Sequence, residues 1–303
     1  MLFLDFLFLL VAICILYFAG SFVFYFLFEN FSAAGFFQGF FFRIFTGTLL
    51  FMLGFSFVFS KLQTVNLGFL LIVICFLIEL KREQQITIHA IAAEKKRSFG
   101  NFFLLIFSIL FVYVWSVAII FKKGEFGFSP TSIDNVYYAT LSENLRLTGE
   151  ENPFGIANLF SADYHGTIPY HYFELWLNSM FSRITHQKDI VSFQTLTFPL
   201  LNLISVIGLF AICEIISKFS WKWFLVPLFL FVGAFYFNHN NPNYDYTFNF
   251  IESPMEYYGE KFSAYYPFII LSFLFFLSGY FSVGIVFLLT LPKIGRASCR
   301  ERV

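Results

Sequence analysis

Two polar stretches interrupt an otherwise apolar chain, and they hold the residues whose types and spacing could do chemistry: TSIDNVYYATLSENLRLTGEEN, residues 131–152, and GTIPYHYFELWLNSMF, residues 166–181. In the first, Ser132 is an N-cap for a helix beginning at Ile133, and Gly149 is its stop signal. Ile133, Tyr137, Leu141 and Leu145 recur every four positions, widened by Val136, while Asp134, Tyr138, Ser142 and Arg146 make an adjacent polar stripe. The pattern predicts a helix lying along a membrane surface, apolar side in lipid or on the protein and polar side facing an outer cavity. Asp134 falls in the first turn, where the helix dipole favours a carboxylate by about 0.3–1 kcal/mol. A carboxylate stripped of water at such a surface is equally suited to take up a proton as a general base.

In the second stretch Pro169 favours a helix start, and a 3.6-residue period puts His171, Glu174 and Asn178 within about sixty degrees of one another. Phe173, Trp176, Leu177, Met180 and Phe181 form the apolar remainder. His171 and Glu174 could ligate a metal with His165 or Asp163, but HxxE lacks the spacing that puts two His on one helix face. No metal site and no cofactor is assigned, and a divalent ion has no supporting ligand set. A third polar stretch, residues 238–262, carries Asp245, Glu252, Glu256, Glu260 and Lys261, with six Tyr and Phe residues between Tyr244 and Tyr258. Its composition suits stacking on sugar rings or holding a lipid headgroup, and equally a solvated loop with an interfacial aromatic belt.

The elements that must position these residues are membrane helices. The 303-residue chain is 58% hydrophobic and 13% charged, with its apolar residues in long runs, the composition of an all-α polytopic integral membrane protein. A bilayer core asks for roughly 17–25 helical residues. Runs of about that size fall at 2–28, 39–60, 65–80, 102–121, 191–217, 223–237 and 265–278, with an eighth beginning at 281–291, giving about seven to eight spans. Most of the 51 Phe residues are expected to face lipid. Asp5, Arg43, Glu79 and Glu214 lie near span ends, where snorkelling is expected to serve them.

The loop holding Lys81, Arg82, Lys95, Lys96 and Arg97 is the densest basic cluster and is therefore expected in the cytoplasm. By parity, segments 124–190 and 239–264 become outer loops carrying amphipathic helices. Zero net charge and the lack of a basic groove with interleaved aromatics argue against nucleic acid as a partner. Cys14, Cys75 and Cys213 sit in apolar runs as small hydrophobes, with no CxxC site or disulfide framework. Neither a Walker A pattern nor GxGxxG after a strand is present.

Residues 294–303, IGRASCRERV, read as a translated sequencing adapter preceded by Lys293, and on this reading the natural chain runs on beyond residue 293. The sequence divides accordingly into an N-terminal part, 1–100, a core with two outer loops, 101–293, and this artefact.

From about Phe102 onward the order of features resembles the GT-C fold glycosyltransferases, membrane enzymes that use polyprenyl-phosphate sugars as donors. SIDNVYYATLSENLRLTGEENP resembles their acid-bearing first-loop helix, and IPYHYFELWLNSMF the second surface helix leading into the next span. The resemblance implies inverting transfer of a sugar from a lipid-linked donor to a glycan, lipid or protein acceptor, on the periplasmic face of a bacterial inner membrane. It implies Asp134 as base, Arg146, His171 or Lys261 at the phosphate leaving group, and Glu174 and Asn178 at acceptor hydroxyls. Asn135, Tyr138, Asp245 and Glu252 complete the expected substrate contacts. Asn135 stands where the paired-acid variant carries a second acid. The alternatives are a polysaccharide polymerase or ligase of the O-antigen type, and a non-catalytic multi-pass protein or transporter.

Overall fold

The structure is a computed structural model describing residues 2–27, 35–60, 99–122, 133–150, 172–216, 235–236, 249–250, 265–279 and 284–285. Its helices are α1 (Leu2–Leu27), α2 (Phe36–Phe59), α3 (Phe99–Lys122), α4 (Ile133–Thr148), α5 (Tyr172–Thr185), α6 (Asp189–Ile216) and α7 (Tyr265–Leu277). Long apolar runs become helices because a helix satisfies every interior backbone group without water. Three stretches are long and apolar enough to cross a bilayer, Leu2–Val23, Phe36–Phe59 and Asp189–Ile216, and Gly100–Ser116 and Tyr266–Leu277 are shorter apolar helices. The chain is thus a helical membrane protein. Five expected spans coincide with α1, α2, α3, α6 and α7 to within three residues at each end, whereas the one at 65–80 lies outside the described residues and of the one at 223–237 only Phe235–Tyr236 is described, as strand. Beyond the helices there is a two-residue antiparallel pairing, β1 (Phe235–Tyr236) with β2 (Asn249–Phe250).

Helices α1 and α2 are antiparallel and touch backbone to backbone. A Cβ on Gly47 would lie 1.8 Å from the Leu16 carbonyl oxygen, and one on Gly20 would lie 1.8 Å from that of Arg43. Small residues let helices approach this closely where lipid supplies no hydrophobic drive for them to associate. Arg43 remains beside this contact, donating to the Tyr17 hydroxyl at 2.8 Å and lying 5.5 Å from the centre of its ring.

The opposite face of α2 is a file of buried phenylalanines. Phe37 packs on Phe210 of α6, Phe42 on Phe275 of α7, and Phe45 edge-on to Phe268 of α7. Phe45 and Phe268 both meet Phe173 of α5. The expectation that the Phe bias mainly serves lipid-facing positions is met only in part. Phe3, Phe18, Phe22 and Phe103 do lie exposed, but the largest buried side chains are phenylalanines and Trp176.

Snorkelling is the wrong account of Glu214 and Asp5. Glu214, near the end of α6, accepts hydrogen bonds from the backbone N–H groups of Phe36, Phe37 and Gln38 at 2.8, 2.9 and 3.3 Å. It caps the amino end of α2, where free N–H groups and the helix dipole favour a carboxylate. The Gln38 side chain adds a 2.9 Å bond to Ser278 just beyond α7, so the ends of α6 and α7 meet the start of α2. Asp5 is buried at the start of α1, where Gln187, just before α6, donates to it. The starts of α1 and α6 therefore share one side of the bundle, their far ends share the other, and α2 runs against both. Sidedness among the described helices matches the parity read from the loops; the sequence charge alone assigns the cytoplasm.

Gly47→Ala should lower the thermal melting temperature of the detergent-solubilised protein, at a cost of at least about 2 kcal/mol, because the clash is with backbone. Glu214→Leu should cost about 1–2 kcal/mol by uncapping α2, with Glu214→Gln intermediate. Melting of both variants beside wild type measures the two effects.

Candidate functional site

Helix α4 begins at Ile133 as expected and stops where Gly149 takes φ +71°, its N–H returning to the Leu145 carbonyl at 2.8 Å. Beyond the first turn both stripes read from the sequence turn mostly inward. Leu141 and Leu145 are buried, and so are Tyr138 and Ser142, while Val136, Thr140, Glu143 and Leu147 form the exposed side. From Tyr138 to Arg146 the polar stripe therefore faces protein, which corrects the picture of a helix presenting this part of it to an outer cavity.

What it faces is Asp189, the first residue of α6. The carboxylate is 3% exposed, with Oδ2 2.9 Å from Arg146 Nη2 and 3.0 Å from Nε, a two-pronged ion pair. Ser142 Oγ lies 3.2 Å from Asp189 Oδ1 and 3.3 Å from the Leu175 carbonyl oxygen, sharing one proton between them. Asn178 of α5 donates to Ser142 Oγ at 3.0 Å and to the Asp189 backbone carbonyl at 3.1 Å. Its own carbonyl oxygen accepts from Thr197 at 3.0 Å. One acid thus ties α4, α5 and α6 together, and Arg146, Ser142, Asn178 and Thr197 each find a partner in this network.

A π-helical turn, Phe193–Thr197, makes this junction. The N–H of Phe198 bonds the carbonyl of Phe193, five residues back. Pro199 supplies the cause: it has no N–H to return to an earlier carbonyl, and its ring crowds the preceding turn. The wider turn packs against α1, α3 and α5, and Tyr138 of α4 stacks on its Phe193 with ring centres 6.4 Å apart. Such turns inside otherwise regular helices recur at functional sites. Gln194 within this turn and Asn202 farther along α6 are buried with side-chain amides that make no hydrogen bond to the protein.

Of the sequence candidates, the structure joins Arg146 to Asn178 through Asp189, buries Tyr138 in the packing of α4 on α6, and buries Glu174 one turn before Asn178 on α5. Asp134 and Asn135 belong to the first turn of α4. Twelve residues separate Asp134 from Arg146, about 18 Å along the axis at 1.5 Å per residue. A base and a leaving-group cation act on atoms about 3 Å from each, so both must lie within roughly 10 Å of one another. Arg146 is held as the cation of Asp189, about 18 Å along the helix from the position of Asp134. His171, Asp245, Glu252 and Lys261, like Pro169, lie outside the described residues. Sequence reasoning passed over Asp189, although an acid at the head of an apolar run beside a helix-interior proline was a usable signal. Among the described residues no group of three or more His, Cys, Asp and Glu side chains could hold a metal.

No family model, curated protein or solved structure matches this chain.

Asp189→Asn should destabilise the protein by about 2–3 kcal/mol. That is below the usual figure for breaking a fully buried pair, because the Arg146 side chain keeps a quarter of its surface in solvent. The double variant Asp189→Asn with Arg146→Leu should recover part of the loss in the same melting experiment, since it leaves no stranded charge.

Proposed function

We propose that this membrane protein is a glycosyltransferase that moves a sugar from a polyprenyl-phosphate donor to an acceptor at the outer, periplasmic face of a bacterial inner membrane. The observation that carries the reading is one succession: an apolar helix (α3), an acid in the first turn of a cap helix (α4), a second cap helix (α5) and a bilayer-length helix (α6), with both cap helices fastened to the head of α6. A lipid-linked donor explains why no nucleotide-binding motif accompanies it, since the bilayer solvates the tail and only the headgroup needs a protein site.

In this mechanism Asp134 takes the proton of the acceptor hydroxyl as that oxygen attacks the anomeric carbon, and the bond to the phosphate breaks on the opposite face, inverting the centre. The leaving phosphate requires donors or positive charge near Asp134. His171 and Lys261 are the candidates, because Arg146 is held about 18 Å away along α4. Glu174 lies at the start of the second cap helix, where an acceptor hydroxyl could be oriented. The full consumption of Asn178 by Ser142, Asp189 and Thr197 favours a structural role for it, and it is the one observation on the side of a non-catalytic membrane protein.

Asp134→Asn should reduce transfer from a polyprenyl-phosphate sugar by at least about a thousandfold, with expression and melting temperature unchanged. Purified protein in nanodiscs, supplied with labelled donor and a panel of acceptors, makes the measurement. Transfer persisting at a tenth of wild type or more removes Asp134 as the base, and wild-type protein inert toward every donor removes the enzyme reading.

A further inference from the structure

We propose that Asp5 and Gln187 form a binding site for a monovalent metal cation where α1 and α3 meet the turn between α5 and α6. The site stands independently of sugar transfer. Asp5 is 2% exposed, and its Oδ1 accepts a hydrogen bond from Gln187 Nε2. Its other oxygen, Oδ2, is buried and accepts nothing, and the same is true of Gln187 Oε1, on the same amide as the donating nitrogen. Carboxylate and amide are joined through their other atoms, so both bare oxygens belong to one hydrogen-bonded pair of side chains.

The surrounding polar groups are already engaged. Tyr113, whose ring meets Phe6, donates its hydroxyl proton to the Leu2 carbonyl at 2.6 Å. The Gln187 backbone carbonyl accepts from Ser182 Oγ at 2.7 Å. Charge is also unanswered locally. Arg43 is held by Tyr17, Arg146 by Asp189 and Arg183 over the Phe59 ring, while Lys188 and His186 lie exposed. Among the described residues no cationic side chain pairs with Asp5. A buried carboxylate in this position is costly unless a positive charge joins it. Two oxygen acceptors, one of them charged, select a hard cation, and a single carboxylate matches a single positive charge. Bound there, the ion fastens α1 to the turn that leads into α6.

The full chain, purified in detergent, would be melted in sodium, potassium or lithium chloride and in N-methylglucamine chloride at equal ionic strength, with tryptophan fluorescence as the readout. Sodium or potassium should raise the melting temperature by at least about 3 °C over N-methylglucamine. The shift should vanish in Asp5→Asn and shrink in Gln187→Leu. Equilibrium retention of radioactive sodium or rubidium by the wild-type protein should give about one ion per chain, displaced by excess cold ion. Equal melting in all four salts with no isotope retained overturns the proposal, as does an undiminished shift in Asp5→Asn. If melting follows pH alone and ignores the cation, the carboxylate is neutralised by a proton and the proposal fails. Should Asp5→Asn not fold, isotope retention by wild type and Gln187→Leu decides.

Discussion

Asp189 is the constraint on which the polar side of this bundle depends. A carboxylate removed from water at the head of a bilayer-length helix must find compensation nearby, and it draws Arg146 and Ser142 from one cap helix and Asn178 from the other. The cap is therefore fastened to the membrane domain by hydrogen bonds of specified direction, whereas apolar contact alone would let two short helices slide. The position of Asp134 follows from the same contact: once Arg146 is fixed, the straightness of α4 places the first turn about 18 Å away. A candidate catalytic acid and the structural anchor occupy opposite ends of one rod, so the anchor can be immobile without immobilising the site.

Within the membrane the organising interactions are of a different kind. Lipid tails match Leu and Phe in polarity, so helices cohere through close packing and directional contacts more than through exclusion from water. Gly20 and Gly47 let α1 and α2 touch through their backbones, and the phenylalanines of α2 reach α5, α6 and α7 on the other side. Helix α2 is thereby a common wall between the N-terminal pair and the remainder, although the resemblance to glycosyltransferases begins only near Phe102.

Much of this fold was legible in the sequence. Apolar run length placed five helices to within a turn, and Gly149 marked the end of α4, because hydropathy and helix-stop signals act locally. Pairings between distant segments were not legible. The stripe of Tyr138, Ser142 and Arg146 was correctly assembled on one helix, but periodicity states which residues share a face and not what the face meets. Asp189 escaped notice because an acid beside Lys188 at a span boundary looks like an interfacial residue. Glu214 was placed near a span end, but its role as a cap was not readable because its partners lie far back in the chain. The Phe bias is silent in another way: composition does not distinguish a ring in lipid from one in a core, since both are apolar surroundings.

The cap that Glu214 places on α2 also bears on how the protein is made. Its bond to Phe36 spans 178 residues of sequence. At about 5–20 residues per second, translation delivers Glu214 roughly 10 to 35 s after Phe36. For that interval the first amides of α2 must find acceptors in water, in headgroups or in the insertion machinery. The helix thus enters the bilayer before its own amino end is completed, and its final depth is set only when α6 arrives. A ribosome that stalls before residue 214 would leave α1 and α2 as a packed pair with an open end, a form that quality-control proteases could distinguish from the finished bundle.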